Sequence, residues 1–98
     1  MEETNAEIPK ELCHYLDRHG KLKVWPGRQK RQRLAIQYLA SKFYPNRDYT
    51  EREVNELLLQ WHTFADAALL RRLMFSWGFL GRTIDGARYW RTEPDPEK

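Results

Sequence analysis

Residues 66–91, DAALLRRLMFSWGFLGRTIDGARYWR, constrain the fold more than any other stretch of this chain. The first half sets apolar residues at helical spacing behind Asp66, a residue type that caps helix N-termini. The second half reads as two short strands, 79–83 and 88–91, joined through Ile84-Asp85-Gly86-Ala87. Asp-Gly supplies positive φ at little cost in a tight hairpin turn. Between the halves, Gly78 fits the left-handed residue that ends a helix, with Phe79 and Leu80 folding back over the helix end. A helix running straight into a twisted ribbon is how a winged helix-turn-helix ends.

The preceding residues supply the other parts of that architecture. Thr50-Glu51-Arg52-Glu53 is a capping box, a strong signal for a helix start. Val54, Leu57, Leu58 and Trp61 form that helix's buried face, and Asn55 faces solvent or a local hydrogen-bond partner. Residues 62–65 are a short connector. Two helices of about three turns with a tight link match a helix-turn-helix. Upstream, residues 28–43 (RQKRQRLAIQYLASKF) form a helix with Ala35, Ile36, Leu39, Ala40 and Phe43 on its apolar stripe and Tyr38 on a flank. Residues 44–48 are a turn, and Tyr49 makes a minimal strand. The expected fold is α+β, mostly α: a winged helix-turn-helix with an extra N-terminal helix and a short strand. That helix starts near Pro9 after a frayed end at residues 1–5, with Leu12, Tyr15 and Leu16 on one face. The strand is the alternating 21–25 segment, LKVW behind a lysine, broken by Pro26-Gly27.

With 98 residues there is room for one domain, divided into an extension (1–20), a winged-helix core (21–91) and a disordered acidic tail (92–98). Cys13 is the one cysteine, so no intramolecular disulfide is possible and any zinc site would need histidines and carboxylates. Cys13 and His14 diverge by about 100° on a helix, which argues against a thiol–imidazole catalytic pair, and Cys13 is read as a half-buried thiol. A reducing, cytoplasmic setting follows most simply. No apolar run is long enough to cross a bilayer, and there is no signal-peptide pattern.

The net charge of +3 hides a partition: residues 1–20 carry −3, residues 92–98 carry −2, and residues 21–91 carry +8. A basic body suits phosphate contact and also an ordinary soluble domain. Arg28, Lys30, Arg31 and Arg33 crowd the first turns of a helix, where its dipole favours carboxylates instead. Sequence that opposes a local rule often answers to a partner.

Several landmarks together resemble a known bacterial family: GKLKVWP, RQKRQRLAIQYLASKF, YTEREVNELL, the D-x-x-x-L-R-R run ending at Arg72, and the closing Tyr89-Trp90-Arg91. The resemblance spans residues 17–91 and is to domain-of-unknown-function family two thousand and eighty-seven, a winged-helix-like module. Its members stand alone or are attached to helix-turn-helix regulators. The resemblance therefore implies a regulatory or nucleic-acid setting. Where that family tends to be polar or aromatic, this chain has Leu69 and Leu73, four apart on one helix face. With Leu70, Met74 and Trp77 inward, the opposite face would carry Leu69, Arg72, Leu73 and Ser76.

An enzyme is not expected: His14, His19 and His62 are scattered, and no Gly-rich phosphate loop, carboxylate pair or HExxH spacing occurs. Neither a cofactor nor a metal is expected. For DNA, the donors are Arg28, Lys30, Arg31 and Arg33 on the basic helix, Arg71 and Arg72 on the second helix, and Arg82 and Arg88 on the ribbon. Arg71 could instead pair internally with Asp66 or Glu53, and Arg91 with the acidic tail. Tyr89 and Trp90 are read as core residues rather than base-stacking ones. The alternative is a protein partner or homodimer docking on Leu69, Arg72 and Leu73.

Overall fold

The computed structural model describes residues 10–93. Three α-helices, one 3-10 helix and a three-stranded antiparallel sheet form an α+β fold compatible with the expected one. In order they are the 3-10 helix Lys10–Tyr15, α1 (Gln29–Ala40), β1 (Asp48–Tyr49), α2 (Glu51–Trp61), α3 (Ala67–Ser76), β2 (Leu80–Arg82) and β3 (Tyr89–Arg91).

Local chemistry sets most boundaries. At the start of α2 the Thr50 hydroxyl accepts from the Glu53 N–H at 3.1 Å, and the Glu53 carboxylate accepts from the Thr50 N–H at 2.9 Å. The expected capping box is therefore complete. At α3 the Asp66 carboxylate accepts from the Leu69 N–H at 3.3 Å. That helix ends in a Schellman motif: Phe79 N–H donates to Met74 C=O at 2.8 Å and Gly78 N–H to Phe75 C=O at 3.2 Å. Gly78 sits at φ 88°, where a side chain would be strained. α1 stops at Ala40, earlier than the expected Phe43, because the chain tightens there into i→i−3 bonds, the N–H groups of Ser41, Lys42 and Phe43 donating to the carbonyls of Tyr38, Leu39 and Ala40. Phe43 is nonetheless buried and meets Tyr49 edge-on, centroids 5.1 Å apart.

The sheet runs β1-β3-β2, with Asp48 opposite Trp90, Tyr49 opposite Tyr89, and Gly81 opposite Trp90 on the other side. The turn of the β2–β3 ribbon is held by its own side chains. Thr83 Oγ1 donates to Asp85 Oδ1 at 2.7 Å, and the Ala87 N–H donates to the same carboxylate oxygen at 3.0 Å. These bonds, the Thr83 hydroxyl first, hold the Asp85 carboxyl below its ordinary value. A lowered folded value means that their contribution is present at neutral pH and lost as pH falls through it. A carboxyl-carbon NMR titration of Asp85 should give a midpoint below that of an aspartate in an unstructured peptide. Thr83→Val should move the midpoint up, and an unmoved midpoint would remove the hydroxyl as cause.

Three expectations for the N-terminal part are corrected. The described residues 10–15 form a short 3-10 helix rather than a longer α-helix; the proposed start at Pro9 and the frayed end lie outside the described residues. The 3-10 period stacks residues three apart, so Leu12 goes into the core and Tyr15 packs against it. Cys13 is exposed rather than half-buried. The strand at 21–25 shrinks to Leu22, which bridges Leu16 on one side and His62 on the other. Val24 is exposed, so the alternation continues without a second strand to bury it. Gly20 turns the chain at φ 81°. Its carbonyl accepts from the Tyr38 hydroxyl at 2.7 Å. Burial, and then the charge on Asp17, push that phenol above its ordinary value, which keeps it a donor. Thr92, the first residue of the expected tail at 92–98, is tied to the fold, its N–H donating to Phe79 C=O at 3.0 Å; residues 94–98 lie outside the described part.

One cluster of buried residues joins all these elements. Leu12, Leu22, Ile36, Leu39, Val54, Leu70 and Met74 are all at zero exposure within it.

Candidate functional site

The link between α2 and α3 sets how the second helix is presented. His62, 3% exposed, lies at its start. Its Nδ1 is 2.5 Å from the Leu58 carbonyl, so that nitrogen is the donor, and Nε2 accepts from the Asp66 N–H at 2.9 Å. One imidazole therefore joins the last turn of α2 to the cap of α3. The ring also meets Phe64 edge-on, centroids 4.7 Å apart. Ala65 takes the left-handed conformation (φ 55°) that lets so short a link reverse the chain.

A groove of about 300 Å³ opens between α3 and the ribbon, lined by Arg71, Arg72, Phe75, Arg82 and Tyr89. Its three guanidinium groups have different surroundings. Arg71 is held from α2: Nη1 donates to Asn55 Oδ1 and Nη2 lies 3.5 Å from Glu51. The expected pairing with Asp66 or Glu53 is replaced by these two, because Glu51 and Asn55 are one helical turn apart on the face of α2 that meets α3. Arg82 lies over the Phe75 ring at 4.5 Å, a cation–π contact, and pairs with no carboxylate among the described residues. Arg72 is exposed and has no hydrogen-bond or ion-pair partner among the described residues. Tyr89 is 3% exposed and belongs to the core, as expected. Trp90 is half-buried, with its indole across Gly81.

The remaining candidate cations lie elsewhere. Arg88 pairs with Asp48 at 3.3 Å, both more than half exposed, a contact worth at most about 1 kcal/mol. Arg28 and Lys30 are exposed at the start of α1. Arg31 lines a separate cleft with Lys10, Glu11, His14 and Tyr15, and Arg33 lies 5.5 Å over the Phe79 ring. Of eight candidates, the groove gathers Arg71, Arg72 and Arg82. Arg91 donates to the Phe43 carbonyl at 3.0 Å and reaches Glu93 at 3.5 Å, the expected contact with the acidic end.

The outer face of α3 differs from the expected one. Leu69 and Leu73 are half-buried and Leu73 packs on the core, while Ala68, Arg72, Phe75 and Ser76 are exposed. The spacing 70, 73, 74, 77 is itself the i, i+3, i+4, i+7 stripe of a core-facing helix, and Leu73 belongs to it. Sequence reasoning also missed His62 and Phe75. The signal for His62 was its spacing: four residues past Leu58 and four before the cap Asp66.

Among the described residues no group of three or more His, Cys, Asp or Glu is placed to hold a metal ion, and no helix is long and apolar enough to cross a membrane. No curated protein and no solved structure matches the chain. A family model does match, over residues 21–91, which takes in α1 to α3, the whole sheet and every residue of the groove. The chain belongs to the DUF2087 family, described as "Uncharacterized protein conserved in bacteria".

Proposed function

We propose that this protein is a non-enzymatic winged-helix module that binds duplex nucleic acid through α3 and the β2–β3 ribbon, in a transcription-regulator-like role in the bacterial cytoplasm. The element order α1-β1-α2-α3-β2-β3 and the strand order β1-β3-β2 support a winged helix, with the ribbon as its wing. The observation that carries the binding reading is that Arg72 and Arg82 share one groove and neither is neutralised by a carboxylate among the described residues. Arginines so placed suit phosphate oxygens, whose contacts set affinity and orientation. The excess positive charge of residues 21–91 adds long-range attraction. A protein-docking face at Leu69, Arg72 and Leu73 has less support, since both leucines are half-buried.

Fluorescence anisotropy with a labelled random duplex, titrated from low to moderate salt, tests the reading. Affinity should fall steeply with salt. Arg72→Ala and Arg82→Ala should each reduce the log–log slope by about one. No binding at low salt, or slopes unchanged in both variants, would overturn it.

A further inference from the structure

Resting on the duplex-binding reading, we propose that α3 reads sequence in the DNA major groove, with Arg72 selecting a guanine and Phe75 a thymine methyl close by. The exposed stripe of α3 is Ala68, Arg72, Phe75 and Ser76, the face left over once Leu70, Leu73 and Met74 turn to the core. The chemistry of this stripe is selective. Arginine bonds guanine O6 and N7 in a bidentate fork, whereas alanine and phenylalanine contact the thymine methyl. Serine bonds any base edge and adds little selection.

The two neighbouring arginines are divided by their surroundings. Arg71 is held by Asn55 and Glu51 and so positions α3 on α2. Arg72, one residue on and turned outward, is the one available to a base. Phe75 is 41% exposed, and the Arg82 guanidinium sits 4.5 Å over its ring, a contact that limits its motion. At about 1.5 Å rise per residue, Arg72 and Phe75 lie roughly 4.5 Å apart along the helix axis. Base pairs stack at about 3.4 Å, so the two contacts fall one or two pairs apart. A guanine within two positions of a thymine is therefore the expected core of the preferred site. The thymine methyl also commits the ligand to DNA, since the narrow major groove of duplex RNA is closed to side chains.

The test begins with selection of tight sites from a randomised duplex pool using the intact chain. The selected duplex is then titrated beside two versions, one with the guanine changed to adenine and one with the thymine replaced by uracil. In the wild type, losing the guanine should weaken binding by about ten-fold or more, and losing the methyl by a few-fold. Arg72→Lys keeps the charge without the fork, so it should keep the salt slope and lose the guanine preference. Phe75→Ala should abolish the response to uracil, and Arg82→Ala should weaken binding and blunt that response while leaving the guanine preference intact. All three residues are exposed, and circular dichroism melting checks that the variants fold. Salt-dependent binding with no base preference, a preference that Arg72→Lys leaves intact, or equal affinity for duplex RNA would overturn this inference alone. Absence of any duplex binding would overturn the duplex-binding reading and this inference together.

Discussion

Replacing His62 by leucine should lower the stability of the fold by about 2–4 kcal/mol, because two backbone groups lose their partner at once. The Leu58 carbonyl and the Asp66 N–H both bond the imidazole, and the ring is 3% exposed. Leucine matches the bulk of the ring and fills its space, so the loss measures the polar contacts rather than a cavity. Each group left unpaired costs about 1–3 kcal/mol, with the Asp66 side at the low end because water reaches it. In urea denaturation the midpoint should fall with the slope unchanged. The same ring joins the last turn of α2 to the cap of α3. If α3 binds duplex as proposed, His62→Leu should therefore weaken that binding even where the protein is fully folded. A midpoint shift worth less than about 0.5 kcal/mol would mean that the imidazole is a passenger in the link.

Gly81→Ala is the second large effect, and it is steric. A Cβ at Gly81 would stand 2.5 Å from Trp90 Nε1 and 2.7 Å from Cε2, closer than such atoms approach. Trp90 is the direct cross-strand partner of Gly81, so its indole lies flat across the space that a side chain would occupy. Overpacking of this kind costs about 1–3 kcal/mol, the range reflecting how far the indole can swing away. The double variant Gly81→Ala/Trp90→Ala separates the contributions. It should recover most of the loss relative to Trp90→Ala alone, giving a coupling energy well above zero. An additive pair would place the strain elsewhere.

These two residues illustrate where sequence reasoning reaches and where it stops. The Thr50–Glu53 capping box, the Asp66 cap, the Gly78 helix end and the Asp85-Gly86 turn were all legible from residue type and spacing. In each, the partners lie within about five positions, so local geometry leaves few alternatives. The order of helices and strands, and the family, were legible for the same reason: several local signals agree along one chain. The inward stripe of α3 was partly legible, and the error at Leu73 came from treating the helix as two opposed faces rather than a broad core-facing one.

Partners far apart in the chain could not be read. Arg71 finds Asn55 sixteen residues away, Arg91 finds the Phe43 carbonyl forty-eight residues away, and Leu22 bridges both Leu16 and His62. A guanidinium near several carboxylates in sequence has several possible mates of similar energy, and only the packed helices choose among them. Hence the sequence alone determined α2, α3 and the ribbon with their caps and turns, whose bonds close within a turn or two of chain, but not the N-terminal 3-10 helix or the bridge at Leu22. Tertiary structure alone decided that Arg71 is tied to α2 while Arg72 and Arg82, in the same groove, are left without a carboxylate partner among the described residues, because that outcome depends on how α3 docks on α2 and beside the ribbon.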